Sequence, residues 1–124
     1  MSLSPFLTAI APHLPLVITR ADFIDSSFCI GGDSWSIGTL SAWRVVSVHT
    51  LLFGCEYGDA ADLTKALIGK SIVAASAQGQ VLACDPAFTL DDGSTLEVFS
   101  CHYLEPWTVH LPDGSIFVSS PSSP

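Results

Sequence analysis

The chain has 124 residues, with 12 Asp and Glu against 4 Lys and Arg, for a formal net charge of −8. Hydrophobic residues make up 48%, enough for one compact core and too many for global disorder. Charged residues, at 13%, are about half the usual share of roughly 25%, and no basic stripe is present to neutralise phosphates, which excludes nucleic acid as a partner class.

The first segment, Met1–Thr19, is uncharged and partly apolar. It lacks a basic leader region, and Pro12, His13 and Pro15 interrupt its apolar run. Neither a secretion signal nor a membrane span is expected, and the chain reads as cytoplasmic. Its cysteines, Cys29, Cys55, Cys84 and Cys101, contain no C-x-x-C spacing. They are expected as free, mostly buried thiols, without metal or cofactor.

In chain order, Ser4-Pro5 reads as the N-cap and first residue of a short helix ending before Pro12. Strands follow, with Gly31-Gly32 as a turn and Trp35 and Ile37 at period two after it. Asp59 or Asp62 opens a second helix, with Leu63, Ala66 and Leu67 on one face and Gly69 as its stop. The strands after Lys70 are punctuated at Gln78-Gly79, Asp92-Gly93 and Asp113-Gly114, where Asp-Gly suits a two-residue hairpin turn. Leu96 and Val98 alternate with Thr95 and Glu97, as in a half-buried strand.

Internal similarity organises these elements. Leu7 to Ala21 lines up with Leu63 to Ala77 at an offset of 56, and Phe28-x-Ile30 with Phe88-x-Leu90 at 60. Trp43-x-Val45 lines up with Trp107-x-Val109, and Leu52-Phe53 with Ile116-Phe117, both at 64. An offset that grows only between blocks is what a duplicated unit with loop insertions produces. The expected fold is α+β and mainly β: two antiparallel β-meanders, each with one short helix, related by a pseudo-twofold axis. One domain over 1–118 would contain half-repeats 4–56 and 59–118, followed by a frayed Ser/Pro tail, 119–124. A half of this size is marginal alone, so the two should share a core that buries Trp43, Trp107, Phe28 and Phe88.

Candidate chemistry is sparse. Gly31-Gly32-Asp33-Ser34 resembles the neighbourhood of a protease serine, but lacks the following glycines, and a hairpin turn accounts for it. Cys101 and His102, adjacent on a strand, would point to opposite faces and hardly share an ion. No catalytic or metal-binding residue is therefore assigned. Asp85, Asp91, Asp92, Glu97, Glu105 and Asp113 all follow Lys70, the last basic residue, and make a one-signed stretch suited to attracting a basic partner. Tyr103-Leu104-Glu105-Pro106 has the composition of an interface loop.

The run from Leu90-Asp91-Asp92-Gly93 through Leu96-Glu97-Val98, with Glu105-Pro106-Trp107 and Pro112-Asp113-Gly114 after it and Ser41-Ala42-Trp43-Arg44-Val45 before it, carries a resemblance. It resembles a family of small uncharacterised bacterial proteins, common in actinobacteria, over nearly the whole chain. The shared motifs are turns and core tryptophans, so the resemblance implies a fold and carries no catalytic residue. As a small acidic chain it is also similar, by class, to immunity proteins of bacterial toxin systems. The expected role is non-catalytic protein binding, with a basic toxin as the concrete partner and Asp85, Asp91, Glu97, Tyr103 and Glu105 as contact residues. The alternative is a small-ligand pocket between the halves, lined by Trp35, Tyr57 and cysteines. Exposed edge strands on a lightly charged domain also make a homodimer an expected state.

Overall fold

The computed structural model describes residues 3–48, 50–78, 85–99 and 107–119. Among them are two α-helices, α1 (Ser4–Ile10) and α2 (Ala60–Lys65), and a single 3-10 turn, Ala11–His13. The strands of the first half are β1 (Leu16–Val17), β2 (Arg20–Ile24), β3 (Ser27–Gly32), β4 (Trp35–Thr39), β5 (Trp43–Ser47) and β6 (Thr50–Gly54). Those of the second are β7 (Ser71–Ala77), β8 (Pro86–Leu90), β9 (Thr95–Val98), β10 (Trp107–His110) and β11 (Ile116–Val118). The fold is α+β and mostly β.

The strands form two antiparallel sheets, ordered β1-β7-β8-β9-β5-β6 and β11-β10-β4-β3-β2. The halves are thus interleaved. The last two strands of the first half, β5 and β6, join β7 to β9, and the last two of the second half, β10 and β11, join β2 to β4. Neither half can close a core by itself, because part of each half's sheet is supplied by the other. The sheets are continuous at one corner, where the chain bends between β1 and β2. There the Ile18 N–H donates to the Lys70 carbonyl and the Thr19 N–H to the Gly31 carbonyl, so the backbone stays satisfied through the bend.

The ladders place Phe88, Leu96, Val45 and Phe53 in one row, and Ile30, Ile37, Val109 and Phe117 in the corresponding row of the other sheet. Val45 and Val109 therefore hold corresponding positions, as do Phe53 and Phe117, at the offset of 64. Phe88 corresponds to Ile30, not Phe28, two residues away from the expected match. These are correspondences of ladder position, and a duplicated origin stays a proposal read from sequence.

Trp43, Trp107, Phe28 and Phe88 are all buried and are the largest of the fully buried side chains among the described residues. Phe28 lies 4.4 Å from Trp43 between ring centroids, with Phe23 and Phe53 edge-on at 5.2 and 5.9 Å. Phe6 of α1 reaches Phe88, Trp107 and Phe117 at 6.2, 5.6 and 5.4 Å. Each such pair contributes about 0.5–1.5 kcal/mol beyond its burial.

Local expectations are corrected in several places. Ser4 is the first residue of α1, not its cap; Leu3 occupies the cap position because its side chain is buried in the core. α2 ends at Lys65, before Gly69, and Ala66 is exposed. The buried face is Ala60, Thr64 and Leu67, with the Thr64 hydroxyl donating to the Ala60 carbonyl at 2.7 Å. Asp92-Gly93 and Asp113-Gly114 sit in three-residue loops, in which the Leu90 and Leu111 N–H groups donate to the Ser94 and Ser115 carbonyls. Only the glycines, at φ 89° and 91°, are left-handed there. Gly31-Gly32 is strand, not turn. Gly79 of the expected Gln78-Gly79 turn lies outside the described residues.

The two-residue turns are Asp25-Ser26 and Asp33-Ser34, closing Ile24 onto Ser27 and Gly32 onto Trp35. Asp25 and Ser26 have φ of 51° and 65°, a conformation that burdens a residue carrying a Cβ by about 1–2 kcal/mol. Ser26→Gly should raise stability by about 1 kcal/mol, read as a higher urea midpoint at unchanged slope.

Candidate functional site

The acidic stretch after Lys70 looks one-signed only along the chain. Asp85 is buried, 7% exposed, and accepts the Trp107 indole N–H at 3.3 Å. It is thereby withdrawn from the contact surface expected for it, because a buried indole donor needs an acceptor. Glu97 is partly buried and accepts from Arg44 Nε at 2.5 Å, while the Arg44 guanidinium stacks over the Phe99 ring at 5.1 Å. Asp91 is exposed, and its carboxylate accepts the Ser71 N–H at 3.2 Å. Asp113 accepts the Ser115 N–H at 2.9 Å and lies 3.5 Å from His13 Nε2. The Ser115 donors, with His13 behind them, hold the Asp113 carboxyl below its usual range. Tyr103 and Glu105 lie outside the described residues.

Asp92 is the most tightly held of these acids. It accepts from Lys70 Nζ at 2.5 Å, from the Ser94 N–H at 2.9 Å and from the Ser94 hydroxyl at 2.6 Å. Lys70 first, and the two Ser94 donors after it, push the carboxyl well below the usual carboxylate range. A folded pKa below the unfolded value of about 3.9 adds stability above that pH, lost as pH falls through the folded pKa. Asp92→Asn keeps an acceptor for Ser94 but loses the ion pair. Because the side chain is 41% exposed and screened by solvent, the variant should be less stable by under about 1 kcal/mol at pH 7. That difference should shrink below about pH 4 in urea titrations.

With these acids engaged, the exposed carboxylates outside any ion pair shift toward the first half and the α2 entry. Among the described residues, Glu56, Asp59 and Asp62 come within one short segment, with exposed Tyr57 and Gly58 between them. Glu56 and Tyr57 line an open cavity of about 240 Å³, together with Arg44, Leu51, Cys55 and Phe99. The start of β5 and the end of β6 supply its floor, and Phe99 is its contribution from the second half. Tyr57 and Cys55 thus meet at a pocket. Trp35 does not join them: it is buried at 4% exposure in β4, in the other sheet, which corrects its place in the expected pocket lining.

No family model, curated protein or solved structure matches this chain.

Ser34 is exposed at the tip of the β3–β4 turn, with φ 68°. The glycines before it serve packing: a Cβ on Gly32 would enter the space of the Val17 carbonyl oxygen and the Trp35 indole nitrogen. Among the described residues no group of three His, Cys, Asp or Glu could hold a metal ion, and no helix is long and apolar enough to cross a membrane. His49, His102, Cys84 and Cys101 lie outside those residues. Cys29 and Cys55 are free and half-buried, less enclosed than expected. Burial outweighs the nearby Arg20 and raises the Cys29 pKa, which favours the neutral thiol.

In sequence the segment 56–62 is inconspicuous, because its aspartates serve equally as helix-start residues. The signal in the sequence is three acids within seven residues around one tyrosine, with Lys65 as the nearest base.

Proposed function

We propose that this protein is a non-catalytic binding module for a basic partner protein, most concretely an immunity-type inhibitor of a toxin with a basic surface. The observation that carries the reading is the exposed segment 56–62, in which Glu56, Asp59 and Asp62 hold no ion pair among the described residues and Glu56 and Tyr57 line the Arg44–Phe99 cavity. Carboxylates free of internal partners attract a basic surface and speed encounter, and an aromatic at their centre supplies an anchor. Of the contact residues expected from sequence, Asp91 and Glu97 remain on the outside but already hold internal partners. The cavity's 240 Å³ is of a size to receive one partner side chain, and a second open hollow of about 310 Å³ adjoins it through Arg44 and Leu51.

The test is capture of partners from the native host by the full chain and by the triple variant Glu56→Lys, Asp59→Lys, Asp62→Lys. A basic protein should bind the wild-type chain, with an association rate about tenfold or more above that for the variant at low salt. The same reversal at the turn residues Asp25 and Asp33 should matter far less. Recovery of no basic protein, or binding indifferent to the triple reversal, would overturn the reading.

A further inference from the structure

The outward face of the β2-β3-β4-β10-β11 sheet leaves Ile24, Ile116 and Val118 exposed at 63, 58 and 47%. Strand register sets its side chains in two rows. One runs Asp22, Cys29, Gly38, Thr108, Val118, and the next, two residues along each strand, runs Arg20, Gly31, Ser36, His110, Ile116. Each row carries one charged residue at the β2 end, two small residues at β3 and β4, and one large apolar residue at β11.

These rows are complementary to each other under a twofold rotation. An axis lying across the strands, midway between the rows and between two facing copies, sets the first row of one copy on the second row of the other. Asp22 then meets the partner's Arg20, and Val118 meets the partner's Ile116. Between them Gly38 faces the partner's Ser36, Cys29 faces the partner's Gly31 with its covering Arg20 guanidinium, and Thr108 faces the partner's His110, so the closest approach is at Gly38. The Arg20 side chain already lies flat on this face, donating to the Gly32 carbonyl at 3.0 Å, with a guanidinium nitrogen 2.6 Å from where a Gly31 Cβ would be.

We propose that two copies of this chain associate through this face as a symmetric dimer. One Arg and one Asp give these rows a formal charge of zero, counting His as neutral, in a molecule of net charge −8, so two copies meeting here add no net repulsion across the face. Opposite charges that meet twice about the axis fix the register. Five strands about 4.8 Å apart, at about 3.3 Å per residue along each, give a face roughly 20 Å by 15 Å. That is less than the roughly 800 Å² per partner of a standard interface, so the dimer is weak, with a dissociation constant in the micromolar range or above. The inference goes beyond the binding of a basic partner, and uses the sheet opposite the one that carries the cavity.

Sedimentation of the full chain from about 1 to about 500 µM should show a concentration-dependent monomer–dimer equilibrium. Asp22→Arg and Val118→Asp, both at exposed positions, should each weaken it about tenfold or more. Arg20→Glu alone should do the same, while an equimolar mixture of Asp22→Arg with Arg20→Glu should recover a heterodimer, because opposite charges face each other again at both contacts. The Glu56, Asp59, Asp62 triple reversal should leave the dimer intact, which separates this surface from the partner site. A chain that stays monomeric throughout, or a dimer unaffected by Asp22→Arg and Val118→Asp, overturns the proposal. Folded charge variants that fail to pair overturn its register. If Arg20→Glu does not fold, for want of the bond to Gly32, the two exposed variants decide.

Discussion

Gly32→Ala is expected to destabilise the fold by about 3 kcal/mol or more, and to leave much of the protein insoluble. Gly32 is the last residue of β3, beside the corner where the chain passes from one sheet to the other. An added methyl would overlap the Val17 carbonyl, which is backbone, and the buried Trp35 ring. Neither neighbour can swing aside as a flexible side chain would. Relief would need the β1–β2 corner to open, breaking the bonds that Ile18 and Thr19 make across it. Gly58→Ala is the control: nothing lies within 4 Å of its added carbon, so the midpoint of urea unfolding should hold or rise slightly. Equal effects of the two substitutions would dismiss the corner as the site of the constraint.

Trp107→Phe should cost about 3 kcal/mol, and Trp43→Phe about 1 kcal/mol, although both rings are fully buried at corresponding ladder positions. Both substitutions lose the same ring area. They differ in what the indole N–H was doing. Trp107 donates to Asp85, and its loss leaves a buried carboxylate without that donor. The Trp43 N–H is buried, in a ring packed by Phe23, Phe28 and Phe53, with no acceptor among the described residues, so removing it also removes an unmet polar group. Asp85→Asn, which keeps an acceptor oxygen, should be milder than Asp85→Ala. The ordering by chemical denaturation is the check, and Trp43→Phe proving the costlier would refute this account of the core.

Much of the fold was legible because its causes are local. Period-two alternation marked Trp35–Ile37 and Leu96–Val98 as strand, Asp-Gly marked the loops after Leu90 and Pro112, and large aromatics marked the core. Where local reading erred, a tertiary demand had overridden it. Leu3 took the cap position because it is buried, and Gly31-Gly32 became strand because Trp35 packs against it.

The candidate site was less legible, since charge along a chain says little about charge in space. Arg44 reaches Glu97 across 53 residues, Lys70 reaches Asp92, and Asp85 goes inward to Trp107. Each event removes an acid from the stretch that looked suited to a partner. Of the acids left over, Glu56, Asp59 and Asp62 stand in the segment where sequence offered a helix start as the sufficient explanation.

Composition, alternation and turn chemistry by themselves determined a mainly β, acidic chain with a core built on Trp43, Trp107, Phe28 and Phe88. Only the tertiary structure decided that the halves exchange their last two strands, which acids face solvent unpaired, and which residues share the outer rows of each sheet. The physical reason is range: a strand's two faces follow from its own residues, whereas its neighbours, and the partners of its charges, come from wherever the chain returns.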